Sequence, residues 1–231
     1  MVTGDERLPV AGAAPVVVAI DGPAGAGKST VGRAVAERLG LDYLDTGAMY
    51  RAVTFAALRR GLDPSDDDDI AELSETIDMS LTATPSGTVV TVDGVDATIE
   101  IRGREVTSAV SAVAANSRVR SELVRRQRRW VAEHHGGVVE GRDIGSVVFP
   151  DADLKLYVTA SPRVRAERRV ADIGGDVDEV EASIIERDRK DSTRADSPLR
   201  EADGSTVVDT TGLGIDEVVG HVLDLLAEVR S

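Results

Sequence analysis

The apolar and polar positions along the chain fall into a repeating order of short strand and helix. "PVVVAI" (15–20) is a continuous apolar run ended by Asp21 and Gly22, the pattern of a strand buried on both faces. From Gly27 to Leu39 apolar residues recur at helical spacing, and Gly40 supplies a stop. "LDYLD" (41–45) reads as a short strand, and 46–61 as a helix with Thr46 as candidate N-cap and Gly61 as C-cap. A further helix fits 66–77, and the acidic run "DPSDDDD" (63–69) at its start reads as a solvated first turn. Over 78–97 the period changes to two around Pro-Ser-Gly and Asp-Gly turns, which predicts a β-hairpin or small antiparallel sheet. Helices follow at 103–115 and 117–134, then a "GGVVE" strand from 136 and "LKLYVTA" (154–160). Two Arg-rich helices near 161–171 and 176–195, a strand at 206–211 and a helix at 214–230 complete the chain. Strands alternating with helices imply an α/β fold: a five-stranded parallel sheet flanked by helices, with the β-rich 78–97 inserted over one edge.

Composition narrows the class. A length of 231 residues with 42% hydrophobic content suits one compact domain with an insertion. There is no cysteine, so disulfides and thiolate chemistry are excluded. His134, His135 and His221 are not at metal-ligand spacing, and the adjacent pair is expected to cap a helix end at the surface. A net charge of −14 opposes general nucleic-acid binding. No stretch approaches the roughly 20 apolar residues of a membrane span. "MVTGDERLPVAGAAP" lacks a basic start and a long apolar core, so residues 1–14 read as a disordered tail and the protein as cytoplasmic.

"GPAGAGKS" (22–29) matches G-x-x-x-x-G-K-[ST] between a strand and a helix, the context of a phosphate-binding P-loop. The expected cradle for ATP is Gly22, Pro23, Ala24, Gly25, Ala26 and Gly27, followed by Lys28, Ser29 and Thr30. Its backbone amides and helix dipole face phosphate oxygens, Lys28 reaches the β- and γ-phosphates, and Ser29 holds Mg²⁺. No guanine reader follows any of the three lysines, and "VVEGRD" only loosely approaches the apolar strand ending in Asp-Glu of a mechanical ATPase. A small-molecule kinase needs a second anion pocket and a cover, and the arginines cluster accordingly: at Arg51, along "SRVRSELVRRQRR", and along 161–195. Within the middle cluster Arg125, Arg128 and Arg129 read as a solvated face. "GGVVEGRDIGSVVFP" (136–150) sets Glu140, Arg142 and Asp143 at the mouth of an apolar strand, where charges must be paired or bound to a ligand.

"IDGPAGAGKST", "DTGAMYR", "VSAVAANSRVR", "RRQR", "EGRDIGSVVFP" and "ERDRKDSTR", in this order, resemble the bacterial cytidylate (CMP/dCMP) kinases of the nucleoside monophosphate kinase superfamily, over nearly the whole chain from about Val16. The resemblance implies ATP and Mg²⁺ as donor and metal, and CMP and dCMP as acceptors. It assigns the base to Asp143, Arg120 and Ser111, and the acceptor phosphate to Arg142 with Arg51. Thr46 lies near the acceptor, Arg187 and Asp191 contact the ribose, and Arg194 joins Lys28, Arg142 and Arg187 at the reacting phosphates. Arg165 and Arg168 match lid positions. Glu140 stands where the family often has aspartate, and Thr46 where it often has serine. The same resemblance divides the chain into a P-loop core (15–45 and 135–231, with a helical lid about 161–195) and an acceptor-binding region (46–134, with the β-rich insertion), and nothing in the sequence demands more than a monomer. Two alternatives stay open: a P-loop kinase for UMP or a small metabolite such as shikimate, and a regulatory ATP-binding switch without turnover.

Overall fold

The structure, a computed structural model, describes residues 15–84 and 87–229. The expected tail 1–14 and the Pro85-Ser86 step of the first hairpin turn lie outside the described residues. In chain order, β1 (Val16–Asp21), α1 (Lys28–Leu39), β2 (Tyr43–Asp45), α2 (Thr46–Arg59) and α3 (Asp67–Thr76) come first. Next are β3 (Met79–Thr84), β4 (Gly87–Val92), β5 (Val95–Asp96), a 3₁₀ turn at Glu100–Arg102, α4 (Arg104–Ala115) and α5 (Ser117–Glu133). The last are β6 (Gly136–Glu140), a π-helical turn at Ile144–Val148, β7 (Leu154–Thr159), α6 (Pro162–Ile173), α7 (Val177–Thr193), β8 (Thr206–Asp209) and α8 (Ile215–Val229).

Five strands form one parallel sheet in the order β2-β6-β1-β7-β8, and β3-β4-β5 form a separate antiparallel sheet. Successive side chains of a strand point to opposite faces, so each inner strand feeds two cores. Ala19, Leu44 and Val139 pack with α2, α3 and α5 on one face. Val18, Ile20, Val138 and Leu156 pack with Val31, Val35, Val219 and Val222 of α1 and α8 on the other. The inner strands therefore lack the polar alternation of a half-exposed sheet.

The helix ends follow local chemistry, and three expectations are corrected: Thr46 as N-cap, Gly61 as C-cap and Arg128 as a solvated side chain. Asp45, not Thr46, is the N-cap of α2: its Oδ1 accepts the Ala48 amide at 2.9 Å. Thr46 is the first helical residue, buried, and its hydroxyl donates to the Glu140 carbonyl at 2.7 Å. An acid directly before the threonine competes for the cap, and its charge suits the helix N-terminus better. Arg60 is the C-cap of α2, and Gly61 follows with φ 71°. Asp66 caps α3, accepting from the amides of Asp68 and Asp69. The third correction is Arg128. Its guanidinium is not simply solvated, for Nε donates to the Val148 carbonyl at 3.0 Å and Nη2 to Val147 at 2.9 Å. These are carbonyls of the π-helical turn, which no apolar pattern in "IGSVV" foretold. His134 is the C-cap of α5 and stacks on Trp130 with ring centroids 4.1 Å apart.

One glycine is decisive. A Cβ on Gly22, at φ 144°, would lie 1.9 Å from the Val158 carbonyl oxygen. Gly22→Ala is expected to lower stability by about 3 kcal/mol or more, since neither the backbone of β7 nor the positive φ can give way. Gly40→Ala, at φ 65° with nothing within 4 Å, should cost only about 1 kcal/mol. Urea denaturation of both variants checks the contrast, read as a shift in midpoint at constant slope.

Candidate functional site

Strand register brings the carboxyl ends of the central strands level: Ile20 pairs with Glu140, Asp45 with Glu140, and Asp21 with Tyr157. This is the edge where ligands bind in open parallel sheets, and β1 lies at its centre, with β6 on one side and β7 on the other.

The P-loop spans the gap from β1 to α1. Gly25 and Gly27 adopt φ 76° and 93°, and Gly27, the N-cap of α1, provides no side-chain cap. The first amides of α1 are therefore left to a ligand. The Lys28 ammonium is buried and donates to the Pro23 carbonyl at 2.8 Å. Burial, then the Arg142 charge, lower its pKa from 10.5 to about 7. Ser29 donates its hydroxyl to Glu140 Oε1 at 2.7 Å, while Thr30 is exposed. Glu140 is buried at the end of β6, and its Oε2 has no hydrogen-bond partner among the described residues. Burial, then the Asp45 charge, raise its pKa to about 7.

Beyond β6 the "GRD" turn carries the charges expected to be paired or bound to a ligand. Asp143 and Arg120 of α5 form an ion pair, 4% and 3% exposed, so neither charge is solvated. Arg194 adds a second cation, its Nη2 3.6 Å from Asp143 Oδ1. The Tyr50 ring of α2 lies 5.8 Å from the Arg120 guanidinium carbon, a cation–π contact. Arg142 donates from Nε to Asp191 Oδ2 of α7 at 2.8 Å, and from Nη1 to the Gly22 carbonyl. Asp191 thus faces Arg142 across the cleft, in addition to sharing a helix with Arg187. Arg51 is held by the Ile101 carbonyl and the Thr107 hydroxyl, both at 2.9 Å.

Three guanidiniums, Arg51, Arg142 and Arg187, lie close enough to repel one another, with Asp191 paired to Arg142 and Asp45 and Asp188 nearby. Arg187 Nε is buried without a hydrogen-bond partner among the described residues. Burial and then Arg142 and Arg51 lower the Arg187 pKa to about 10. Arg51 is also lowered to about 10, mainly by burial. Buried like charges with an orphaned N–H mark a place that an anion completes.

Arg165 and Arg168, expected at lid positions, are engaged with the protein itself. Arg165 is buried. Its Nε donates to the Ala160 carbonyl at 2.9 Å, and its Nη1 to the Ala24 carbonyl of the P-loop at 3.1 Å and to Asp188 Oδ2 at 2.6 Å. Arg168 donates to the hydroxyl and carbonyl of Thr210 at 3.0 and 2.7 Å. Ser111 is half-buried on α4.

Most of the residues expected from sequence therefore meet along one edge. Sequence reasoning missed Asp21, Tyr50 and Asp188. Asp21 is buried and accepts the amides of Ile144 and Gly145. An acid closing an apolar strand was a signal, but its partners lie more than 120 residues away.

Residues 18–228 match the cytidylate kinase family model. The chain is 52% identical over 218 residues to a cytidylate kinase of Rhodococcus opacus (strain B4), covering 92% of this chain and 95% of that protein. It is 49% identical over 215 residues to a cytidylate kinase of Corynebacterium efficiens, covering 91% and 94%. A gluconokinase structure from Sinorhizobium meliloti 1021 matches with a TM-score of 0.51 at 15% identity over 94% of each chain, a likeness of fold alone.

Proposed function

The chain belongs to the cytidylate kinase family, and we propose from that premise that it transfers the γ-phosphoryl group of ATP to CMP or dCMP, releasing ADP and CDP or dCDP. The observation that carries the proposal is the pairing of two features on one sheet edge: the arginine cluster of Arg51, Arg142 and Arg187, in which the buried Arg187 Nε has no hydrogen-bond partner among the described residues, and the buried Arg120–Asp143 pair beside it.

The acceptor phosphate is largely a dianion at neutral pH, with a second pKa of about 6, so its oxygen attacks without a general base. The protein's task is alignment and charge neutralisation. The P-loop amides from Gly22 to Gly27 and the Lys28 ammonium hold the β- and γ-phosphates. Arg142 and Arg51 grip the acceptor phosphate in line with the γ-phosphorus. Arg187 and Arg194 neutralise charge on the transferring group. Asp191, with Arg187, receives the ribose, which requires Arg142 to exchange its carboxylate partner for phosphate. Arg165 and Arg168 organise the lid and P-loop on the donor side.

The residues fit a magnesium ion: a serine hydroxyl touches a buried carboxylate whose second oxygen is unpartnered, an oxygen donor set suited to a hard cation that keeps phosphate and water ligands. Ser29 and Glu140 would hold it, Glu140 alongside its shell. Bound there, Mg²⁺ offsets negative charge on the β- and γ-phosphates.

Cytosine offers an N4 amino donor to the Asp143 carboxylate, and Arg120 and the Ser111 hydroxyl serve its N3 and O2 acceptors. Uracil sets O4, an acceptor, against the same carboxylate. A buried mismatch of this kind costs roughly 1.5–3 kcal/mol, about 10- to 100-fold in selectivity.

In this reading 15–45 and 135–231 form the core, with 161–195 as its lid, and 46–134 the acceptor-binding region. A monomer carries every residue the reaction needs, and the enzyme works in the cytoplasm, in pyrimidine nucleotide metabolism. The test is ADP release from ATP–Mg²⁺ with CMP, dCMP, UMP, AMP, GMP and shikimate in parallel. CMP and dCMP are expected to lead. Faster turnover on another acceptor would discard the cytosine assignment, and tight ATP binding without turnover on any would indicate a nucleotide-binding switch.

A further inference from the structure

Asp21 ends β1, immediately before the P-loop, and is 3% exposed. Its two carboxylate oxygens are each used once: Oδ1 accepts the Ile144 amide at 2.7 Å and Oδ2 the Gly145 amide at 2.8 Å. Those amides directly follow Arg142 and Asp143. Two more bonds join the same segments, from the Gly141 amide to the Ile20 carbonyl at 2.9 Å and from Arg142 Nη1 to the Gly22 carbonyl. The strand that launches the donor loop thus holds the turn that carries the acceptor residues.

The identity of the side chain matters. A buried carboxylate carries a desolvation cost, and Asp21 shows it, its pKa raised to about 6 chiefly by burial. The like charge of Asp143 adds to that cost, and the two amide bonds and Lys28 offset it. Only a carboxylate presents two acceptors of one kind to two adjacent amides. Asparagine has the same shape but one acceptor, and would point an N–H at one of the two amides. The cost buys a turn with a single orientation.

We propose that Asp21 is a positioning residue for the acceptor: it sets the Arg142–Asp143 turn against the P-loop, so that capture and selection of CMP depend on it while ATP binding does not. The inference rests on the reading of Arg142 and Asp143 as acceptor-phosphate and cytosine residues.

The experiment compares the native chain with Asp21→Asn in steady-state kinetics on CMP and UMP and in equilibrium binding of ATP. The native chain is assayed first, and its failure to use CMP would sink the underlying reading rather than this inference. With native turnover in hand, Asp21→Asn is expected to lose about 10- to 100-fold in kcat/KM for CMP, and much of its preference for CMP over UMP. Its Kd for ATP should stay within about twofold, because Asp21 makes no hydrogen bond to a P-loop amide or to Lys28, and its charge acts on Lys28 less than burial, Arg142 or Glu140 does. An equal loss for ATP and CMP, or an unchanged CMP-to-UMP ratio, would overturn the proposal and leave Asp21 a general support of the fold. Should the variant not fold, amide hydrogen exchange at Ile144 and Gly145 of the native protein decides. CMP alone should slow both amides and ATP alone should not, and no response to CMP would overturn the proposal.

Discussion

Lys28→Met is expected to lose about a thousandfold in kcat while unfolding no more easily than the parent chain. The activity loss follows from placement. Lys28 is buried beneath the P-loop, its ammonium 2.8 Å from the Pro23 carbonyl, so in the proposed reaction its charge would act on phosphate in a site of low dielectric. The stability result follows from the same burial. Its pKa in the folded chain is lowered to about 7 from 10.5, so the fold disfavours the charged form. Below about pH 7 both folded and unfolded chains carry the charge, and the folded state bears the whole penalty. From about 7 to 10.5 the folded lysine is neutral while the unfolded one is charged, and the penalty shrinks. Methionine has no charge to desolvate and is similar in length. The variant's advantage in urea midpoint should therefore be largest below pH 7 and fade towards pH 10.5. A variant that keeps most of its turnover would remove Lys28 from the reacting phosphates. One that is much less stable at pH 6 would contradict the desolvation argument.

Asp143→Ala should suffer in the opposite way, losing stability and selectivity together. The carboxylate balances Arg120, 3% exposed, and lies 3.6 Å from Arg194. Its removal strands two cations in a site closed to water, at a cost of roughly 3–5 kcal/mol. It also removes the proposed acceptor for cytosine N4, so the CMP-to-UMP ratio of kcat/KM should fall about 10- to 100-fold. Asp143→Asn separates the two effects. It keeps the volume, and its amide donates to uracil O4, so UMP should gain relative to CMP while the fold is less disturbed. Parallel assays on CMP and UMP with thermal unfolding measure both quantities. An unchanged acceptor ratio in both variants would move base recognition elsewhere in the cleft.

The limits of sequence reading are clearest at particular residues. "GPAGAGKS" and the run before it were legible because a P-loop is a local object: strand, glycines, lysine and helix follow one another, and φ values of 76° and 93° at Gly25 and Gly27 are what glycine permits. The elements were legible for the same reason, since capping, periodicity and turn chemistry act over a few residues, although adjacent Asp45 and Thr46 show how a cap can shift by one. Arg120, Asp143 and Arg194 were nameable one by one, but composition could not separate them from Arg128, whose guanidinium serves two carbonyls of the π-helical turn. Asp21 and Tyr50 looked like ordinary residues of a strand end and a helix.

The sequence by itself determined the alternation of strands and helices, the phosphate cradle, and the family to which the ordered motifs belong. Only the tertiary structure decided that β1 lies between β6 and β7, that Arg142 meets Asp191 of α7, and that the Asp21 carboxylate holds the turn after Asp143. The reason is physical. Backbone conformation is governed by neighbours a few positions away, whereas pairing of strands and of buried charges is settled by which apolar surfaces and opposite charges complement one another across the whole chain.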